Sequence, residues 1–221
     1  HSESPAFVSS LLSGALLNCA FLGILRGYQI CLAANLAPFA QTQLQLFGLL
    51  SMLFAAAFII RQTDYKRMLA YSSIEHMGIL ALSIGLGGGA IFGGMLHAIN
   101  HSLTKAMLFL VAGNILMAYQ SRLAKAVSGL GSRLPVSGAL WVIGFLAISG
   151  MPPFGIFLSK FIILKSALDQ GHYFIAATSL FLLAVIFVAM TSVVLSMVLG
   201  EVPSGLEVAA VERGWAIIPP L

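Results

Sequence analysis

The chain is 221 residues long, 59% hydrophobic and only 8% charged, with 11 Lys and Arg against 7 Asp and Glu. Soluble domains carry about 25% charged residues, so this composition excludes an ordinary soluble domain and predicts a polytopic membrane protein. The pI of about 9.3 does not indicate nucleic acid as a partner, because the basic residues are scattered between apolar runs.

Six apolar segments are long enough to span a bilayer: 7–26, 43–61, 67–87, 90–118, 135–168 and 173–199. The first can continue toward Leu32. The predicted fold class is therefore all-α, a polytopic transmembrane helical bundle. Residues 1–200 form one transmembrane domain, and 201–221, mixed and less apolar, form a loop or the start of a further segment. The chain opens on His1 with no signal peptide, which gives the expectation that it is the C-terminal half of a longer protein. Cys19 and Cys31 lack any motif spacing and read as inert thiols rather than a disulfide or metal site. No cysteine set suits an iron–sulfur cluster, and no glycine-rich phosphate loop follows a strand.

In the first segment, Asn18 sits mid-span, where an amide serves as interhelical glue or holds a water. The loops then set the orientation. Arg61, Lys66 and Arg67 fall in one loop and Arg122, Lys125 and Arg133 in another, whereas the opposite side holds Arg26 and Lys165. Basic loops face the cytoplasm, so the 61–67 and 119–134 loops are expected there, with both ends of the chain on the same side. Lys66 and Arg67 read as topology anchors.

The third segment carries Glu75 and His76 a few turns inside the loop end. An acid at that depth can pair with Lys105 or receive protons from the cytoplasm; the plainer reading is a capped, partly wet helix end. The fourth segment places His97, His101 and Lys105 four residues apart, on one helix face. A mid-membrane lysine costs roughly 3 kcal/mol even on the mild insertion scale. Histidines alone read as helix–helix hydrogen bonding; beside Lys105 they point to a proton or ion path. The pair lacks a third ligand for zinc, and the lysine would repel the metal.

The fifth segment is too long for one span and is interrupted at Gly150-Met151-Pro152-Pro153-Phe154-Gly155. Prolines cannot sit in a regular helix interior, so two half-helices, 135–150 and 155–168, are predicted with unwound chain between them. Broken helices at membrane depth line cavities and face ions or substrates. Lys160, about two turns after the break, is then either a proton carrier or a strut paired to an acid not identifiable from sequence. Lys165, four residues before Asp169, is expected to form a local interfacial ion pair.

Together these segments resemble a known family. The run Gln62-Thr63-Asp64-Tyr65-Lys66-Arg67-Met68-Leu69-Ala70-Tyr71-Ser72-Ser73-Ile74-Glu75-His76-Met77-Gly78 is similar to a signature of the antiporter-like proton-pumping subunits of respiratory complex I. So are His101-Ser102-Leu103-Thr104-Lys105-Ala106-Met107-Leu108-Phe109, Gly150-Met151-Pro152-Pro153-Phe154-Gly155 followed by Lys160, and the opening His1-Ser2-Glu3-Ser4-Pro5 with Ser13-Gly14-Ala15-Leu16-Leu17. The family includes subunits of cation/proton antiporters and of membrane-bound nickel–iron hydrogenases. The form Ser-Ser-Ile-Glu-His-Met-Gly at 72–78 most resembles the hydrogenase-4 branch, component F in particular.

The resemblance implies two inverted five-helix repeats, each with one broken helix. This chain would hold the last helix of the first repeat and the whole second repeat. It implies that Lys160 is the terminal proton site of the second half-channel and that Lys105 and His101 lie on the central axis. Asn18 falls where many relatives keep a bridging lysine, so water or His97 would substitute there. It further implies a proton-translocating subunit of a hydrogenase-4-like or NADH–quinone-oxidoreductase-like complex in a bacterial plasma membrane. Such a subunit does no redox chemistry and binds no cofactor. Iron–sulfur and nickel–iron centres belong to soluble partner subunits, and other membrane subunits of the same family lie beside it. The expected proton path is Lys160, Lys105, His101, His97, Glu75 and His76, with Glu75, His76 and the cytoplasmic loop serving uptake and Lys160 toward release. The alternatives are a subunit of a cation/proton antiporter without a redox partner, carrying protons or sodium, and a non-transporting membrane anchor.

Overall fold

The computed structural model describes residues 3–200, and the predicted loop or further segment at 201–221 lies outside them. Helix α1 runs over Ala6–Ala33, α2 over Ala37–Ile59, α3 over Tyr65–Leu86 and α4 over Gly89–Tyr119. The broken pair is α5, Pro135–Ser149, and α6, Gly155–Asp169; α7 is Tyr173–Leu199. Among the described residues the only strand-like pairing is a single bridge between Asp64 and Leu123.

Five of these helices, α1 to α4 and α7, are long and apolar enough to cross a membrane, and the protein is a multi-pass helical bundle. The fifth predicted crossing is divided at Gly150, as its prolines require. Gly150 ends α5 at φ 84°, in the left-handed region that glycine enters without penalty. A Cβ there would also come within 3.1 Å of Lys160 Cδ, so the turn and the lysine stem share one space.

Helix α1 does continue past Arg26, through to Ala33, while α2 starts at Ala37 instead of residue 43. Two glutamines of α2 are interhelical donors: Gln41 Nε2 bonds Tyr28 Oη at 3.0 Å and Gln45 Nε2 bonds the Gly85 carbonyl at 2.8 Å. Within α1, Leu12–Leu16 widen into a π-helical turn. Ser13, in that turn, shares a 2.9 Å hydroxyl–hydroxyl bond with Ser73 of α3.

Helix α3 is the central element, with 78% of its most apolar window buried, and this burial on all sides explains its mostly apolar sequence. It starts on an N-cap, Asp64, whose carboxylate accepts from Arg67 N at 2.8 Å. It crosses α2 at a point where backbones nearly touch. A Cβ on Gly48 would lie 2.8 Å from the Gly78 carbonyl, and one on Gly78 2.7 Å from the Gly48 carbonyl. Small residues permit this approach, which is how helices associate when burial from water is no longer the driving force. The outer faces of α2 and α7 expose large apolar side chains such as Phe47, Phe54, Phe181 and Val188, as a lipid-facing or helix-facing surface requires.

The 61–67 and 119–134 loops lie at one end of the bundle, as the loop charges predict. Tyr65 N donates to the Arg122 carbonyl at 3.2 Å and Ala124 N to the Thr63 carbonyl at 2.9 Å. Arg122 also bonds Glu3 at 2.5 Å. That hydrogen bond and the guanidinium charge hold the Glu3 carboxyl below its usual range and raise Arg122 in return. Lys66 departs from its expected anchor role: it is 1% exposed, and its ammonium donates to the Ser4 carbonyl. Lys165 and Asp169 form the expected exposed i,i+4 pair at 2.7 Å.

Candidate functional site: a buried lysine–histidine axis

The i,i+4 spacing on α4 produces the polar face it predicts. His97, His101 and Lys105 are all 0% exposed. They face α3, which supplies Ser72, Glu75 and His76, and α6, which supplies Ser159 and Lys160. In an interior with few polar partners each of these groups has to find its bond from another of them, and nearly all do.

At the broken helix, Lys160 Nζ lies 3.0 Å from Glu75 Oε1 and donates at 3.3 Å to the Ser149 carbonyl, the last residue of α5. Glu75 therefore pairs with Lys160 and not with Lys105, and at 2% exposure it is no wet helix end. The unwound chain between α5 and α6 is what brings a carbonyl to the ammonium. Beside the pair is a cavity of about 10 Å³ lined by Glu75, His76, Ser149 and Lys160 together with apolar side chains.

The histidines follow. His76 Nδ1 and His97 Nε2 are 2.8 Å apart, and His97 Nδ1 is 2.8 Å from Ser159 Oγ. His101 lies with its ring centroid 4.8 Å from that of His76 and 6.4 Å from that of His97. Neither of its ring nitrogens has a hydrogen-bond partner among the described residues. One helical turn on, Lys105 Nζ donates to the Leu69 carbonyl at 2.6 Å and to Ser72 Oγ, and stands 6.0 Å from the Phe109 ring centroid. All six residues of the predicted path thus fall on one buried axis, with Lys105 at one end, His101, His97 and His76 between, and the Glu75–Lys160 pair beside His76 at the other. Among the described residues no group of three or more His, Cys, Asp or Glu is placed to hold a metal ion.

Asn18 stands beside the axis as an interhelical bond: its Nδ2 donates to Ser102 Oγ at 2.5 Å and to the Ala98 carbonyl at 3.3 Å. Its Oδ1 is buried without a partner among the described residues. Sequence reasoning missed Ser72 and Ser159, which hold Lys105 and His97. The signal was available only in part: each is a serine one or a few positions from a charged residue inside an apolar helix.

This arrangement of helices and buried cations has known counterparts. Residues 1–194 match the family described as the transmembrane region of NADH:quinone oxidoreductase and Mrp antiporter proteins. The chain belongs to that family. As a family member it is a membrane, antiporter-like subunit. It is 46% identical over 173 residues to a hydrogenase-4 component F homologue of Methylacidiphilum infernorum, covering 77% of this chain and 36% of the relative. It is 35% identical over 170 residues to NADH-quinone oxidoreductase subunit L of Mycobacterium tuberculosis, covering 76% of this chain and 26% of that subunit. Among solved structures, a chain of an archaeal membrane-bound sulfane sulfur reductase superposes with a TM-score of 0.83 at 26% identity, over 91% of this chain and 43% of its own length. A chain of the Mrp complex from Dietzia sp. shares the fold, with a TM-score of 0.73 at 24% identity over 82% of this chain and 34% of its own. The chain thus spans about a quarter to a third of the length of these curated relatives.

Proposed function

We propose that this chain is the proton-translocating part of a membrane subunit of a hydrogenase-4-like or NADH–quinone-oxidoreductase-like complex. Protons move along the axis formed by Lys105, the three imidazoles of His101, His97 and His76, and Lys160, driven by redox chemistry in partner subunits. The observation that carries this reading is the Glu75–Lys160 pair, 3.0 Å apart at the break of a membrane-spanning helix and joined to His76 by a small cavity. Intramembrane ionisable groups that face the bundle interior and pair with one another mark ion paths, and helix breaks at membrane depth mark binding sites. The identity to the hydrogenase-4 component F homologue supports that branch of the family.

The partners in this proposal are other membrane subunits and soluble subunits that hold the iron–sulfur and nickel–iron centres. The basic loops at 61–67 and 119–134 face the cytoplasm of a bacterial cell, so Lys105 is loaded from that side and Lys160 releases. Redox steps elsewhere act on the axis through charge. In a water-poor interior, adding or removing a charge at one lysine is felt strongly at the other, and this coupling is the free energy that links the sites.

The test is Lys160→Met in the full-length subunit, within its complex, in sealed membrane vesicles, with electron transfer and acidification of the lumen followed together. Pumping that falls in an assembled complex makes Lys160 a carrier. Unchanged pumping and turnover at normal assembly make it a strut and end this proposal. Acidification driven by a sodium gradient with no electron donor would assign the chain to an antiporter instead.

A further inference from the structure

Ser159 sits between the histidines and the broken helix, and one arrangement of protons satisfies all of its contacts at once. A serine hydroxyl has one hydrogen and can accept as well. The Ile156 carbonyl, 2.9 Å away in the first turn of α6, can only accept, so the Ser159 hydrogen is committed there. His97 Nδ1, 2.8 Å from Ser159 Oγ, must then be the donor in that contact. A neutral imidazole carries one N–H, so His97 Nε2 is bare, and the 2.8 Å contact with His76 requires His76 Nδ1 to carry a hydrogen and donate it. His76 Nε2 is bare in turn, on a ring that lines the cavity holding Lys160 and Glu75.

We infer that Ser159 is the positioning residue that gives the histidine pair its direction. By holding its hydrogen on the Ile156 carbonyl it makes both imidazoles acceptors toward the Lys160 cavity. The inference rests on the reading of Lys160 as a proton carrier. The transfer balances without any other reactant. Lys160 gives a proton to His76 Nε2 across the cavity and becomes a neutral amine. His76 passes its Nδ1 hydrogen to His97 Nε2 and is neutral again with the other nitrogen protonated. His97 ends as an imidazolium, with Nδ1–H on Ser159 Oγ and Nε2–H on His76 Nδ1. The same steps in reverse load Lys160. Were the Ser159 hydrogen turned toward His97 Nδ1, His97 Nε2 would already be protonated and His76 could pass nothing on. Because Ile156 lies immediately after the break, a shift of α6 relative to α5 moves the atom that fixes both tautomers.

The experiment compares Ser159→Ala, Ser159→Cys, Ser159→Thr and Lys160→Met in the full-length subunit within its complex, in sealed vesicles, reading protons moved per electron transferred. Threonine keeps a hydroxyl that bonds the carbonyl one turn back. Cysteine fills nearly the same space with a weak donor. The expected result is a loss of pumping stoichiometry by ~10-fold in the alanine and cysteine variants, the size typical of losing a group that orients a histidine, with threonine restoring it. If alanine does not assemble, cysteine and threonine decide. Cysteine or alanine pumping within about twofold of the wild type, while Lys160→Met abolishes pumping, overturns the role of Ser159 alone. Pumping unaffected by Lys160→Met instead removes the reading beneath it.

Discussion

Substituting Glu75 by Gln keeps shape and an acceptor oxygen but removes the one carboxylate that faces Lys160. At 3.0 Å, with an effective dielectric constant of about 20, the lost attraction is about 5 to 6 kcal/mol before any desolvation is counted. Side-chain exposures of 3% for Glu75 and 12% for Lys160 make this a buried pair, for which solvent screening gives little relief. Removing one partner of such a pair typically costs about 3–5 kcal/mol, because the other charge is left without compensation. Since the amide oxygen still accepts one hydrogen bond, the lower end of that range is expected here. The matching double variant, Glu75→Gln with Lys160→Met, removes both charges and should recover most of the loss. Thermal unfolding of the detergent-purified complex, followed for the wild type, both single variants and the double variant, gives the coupling directly. A Glu75→Gln complex as stable as the wild type, with the two substitutions simply additive, would refute the buried pair and the axis built on it.

Two further outcomes follow from the packing and the loop end. Gly78→Ala drives a Cβ to 2.7 Å from the Gly48 carbonyl, so α2 and α3 must separate; overpacking of this kind costs about 1–3 kcal/mol, and a complex whose melting temperature is unchanged would show that the crossing is looser than described. Glu3 is held below the usual carboxylate range by Arg122, so its tether is present above that range and is lost as pH falls through the depressed value. Protection of the 121–134 amides, measured relative to their intrinsic exchange rate at each pH, should therefore fall at acid pH in the wild type and show no such pH dependence in Glu3→Gln; equal protection in the two proteins at every pH would exclude the tether.

The parts of this fold legible from sequence are those written in local spacing. Hydropathy over about 20 residues marks the crossings, Pro152 and Pro153 mark the break, and residues four apart on α4 place His97, His101 and Lys105 on one face. What local spacing does not carry is which helix that face meets. Glu75 and Lys160 are 85 positions apart, so their pairing depends on how α3 packs against α6, and the nearer-looking Lys105 was the wrong partner. The start of α2, at Ala37 and not at residue 43, was hidden for a related reason: Gln41 finds its bond, Tyr28, on another helix. Lys66 is a similar case, its ammonium finding a backbone oxygen on a segment far earlier in the chain.

The distribution of charge along the axis makes its two ends unequal. Lys160 faces a carboxylate, whereas among the described residues Lys105 donates to neutral oxygens, the Leu69 carbonyl and the Ser72 hydroxyl. One carboxylate can balance one ammonium. With a single lysine protonated the cluster is neutral overall, and a second proton on the axis adds a charge that nothing nearby offsets. Such a proton is best moved on quickly, through groups that add no resident charge of their own. Neutral imidazoles meet that need, since each offers a donor and an acceptor at once. Three of them stand between the lysines. His101, whose nitrogens have no partner among the described residues, is where the wired segment at Lys160 and the one at Lys105 fall short of meeting. A buried imidazole without bonds costs about 1–3 kcal/mol for each unsatisfied group. A turn of this ring toward either side would relieve part of that cost, so the gap in the axis is also the point where closing it is favoured.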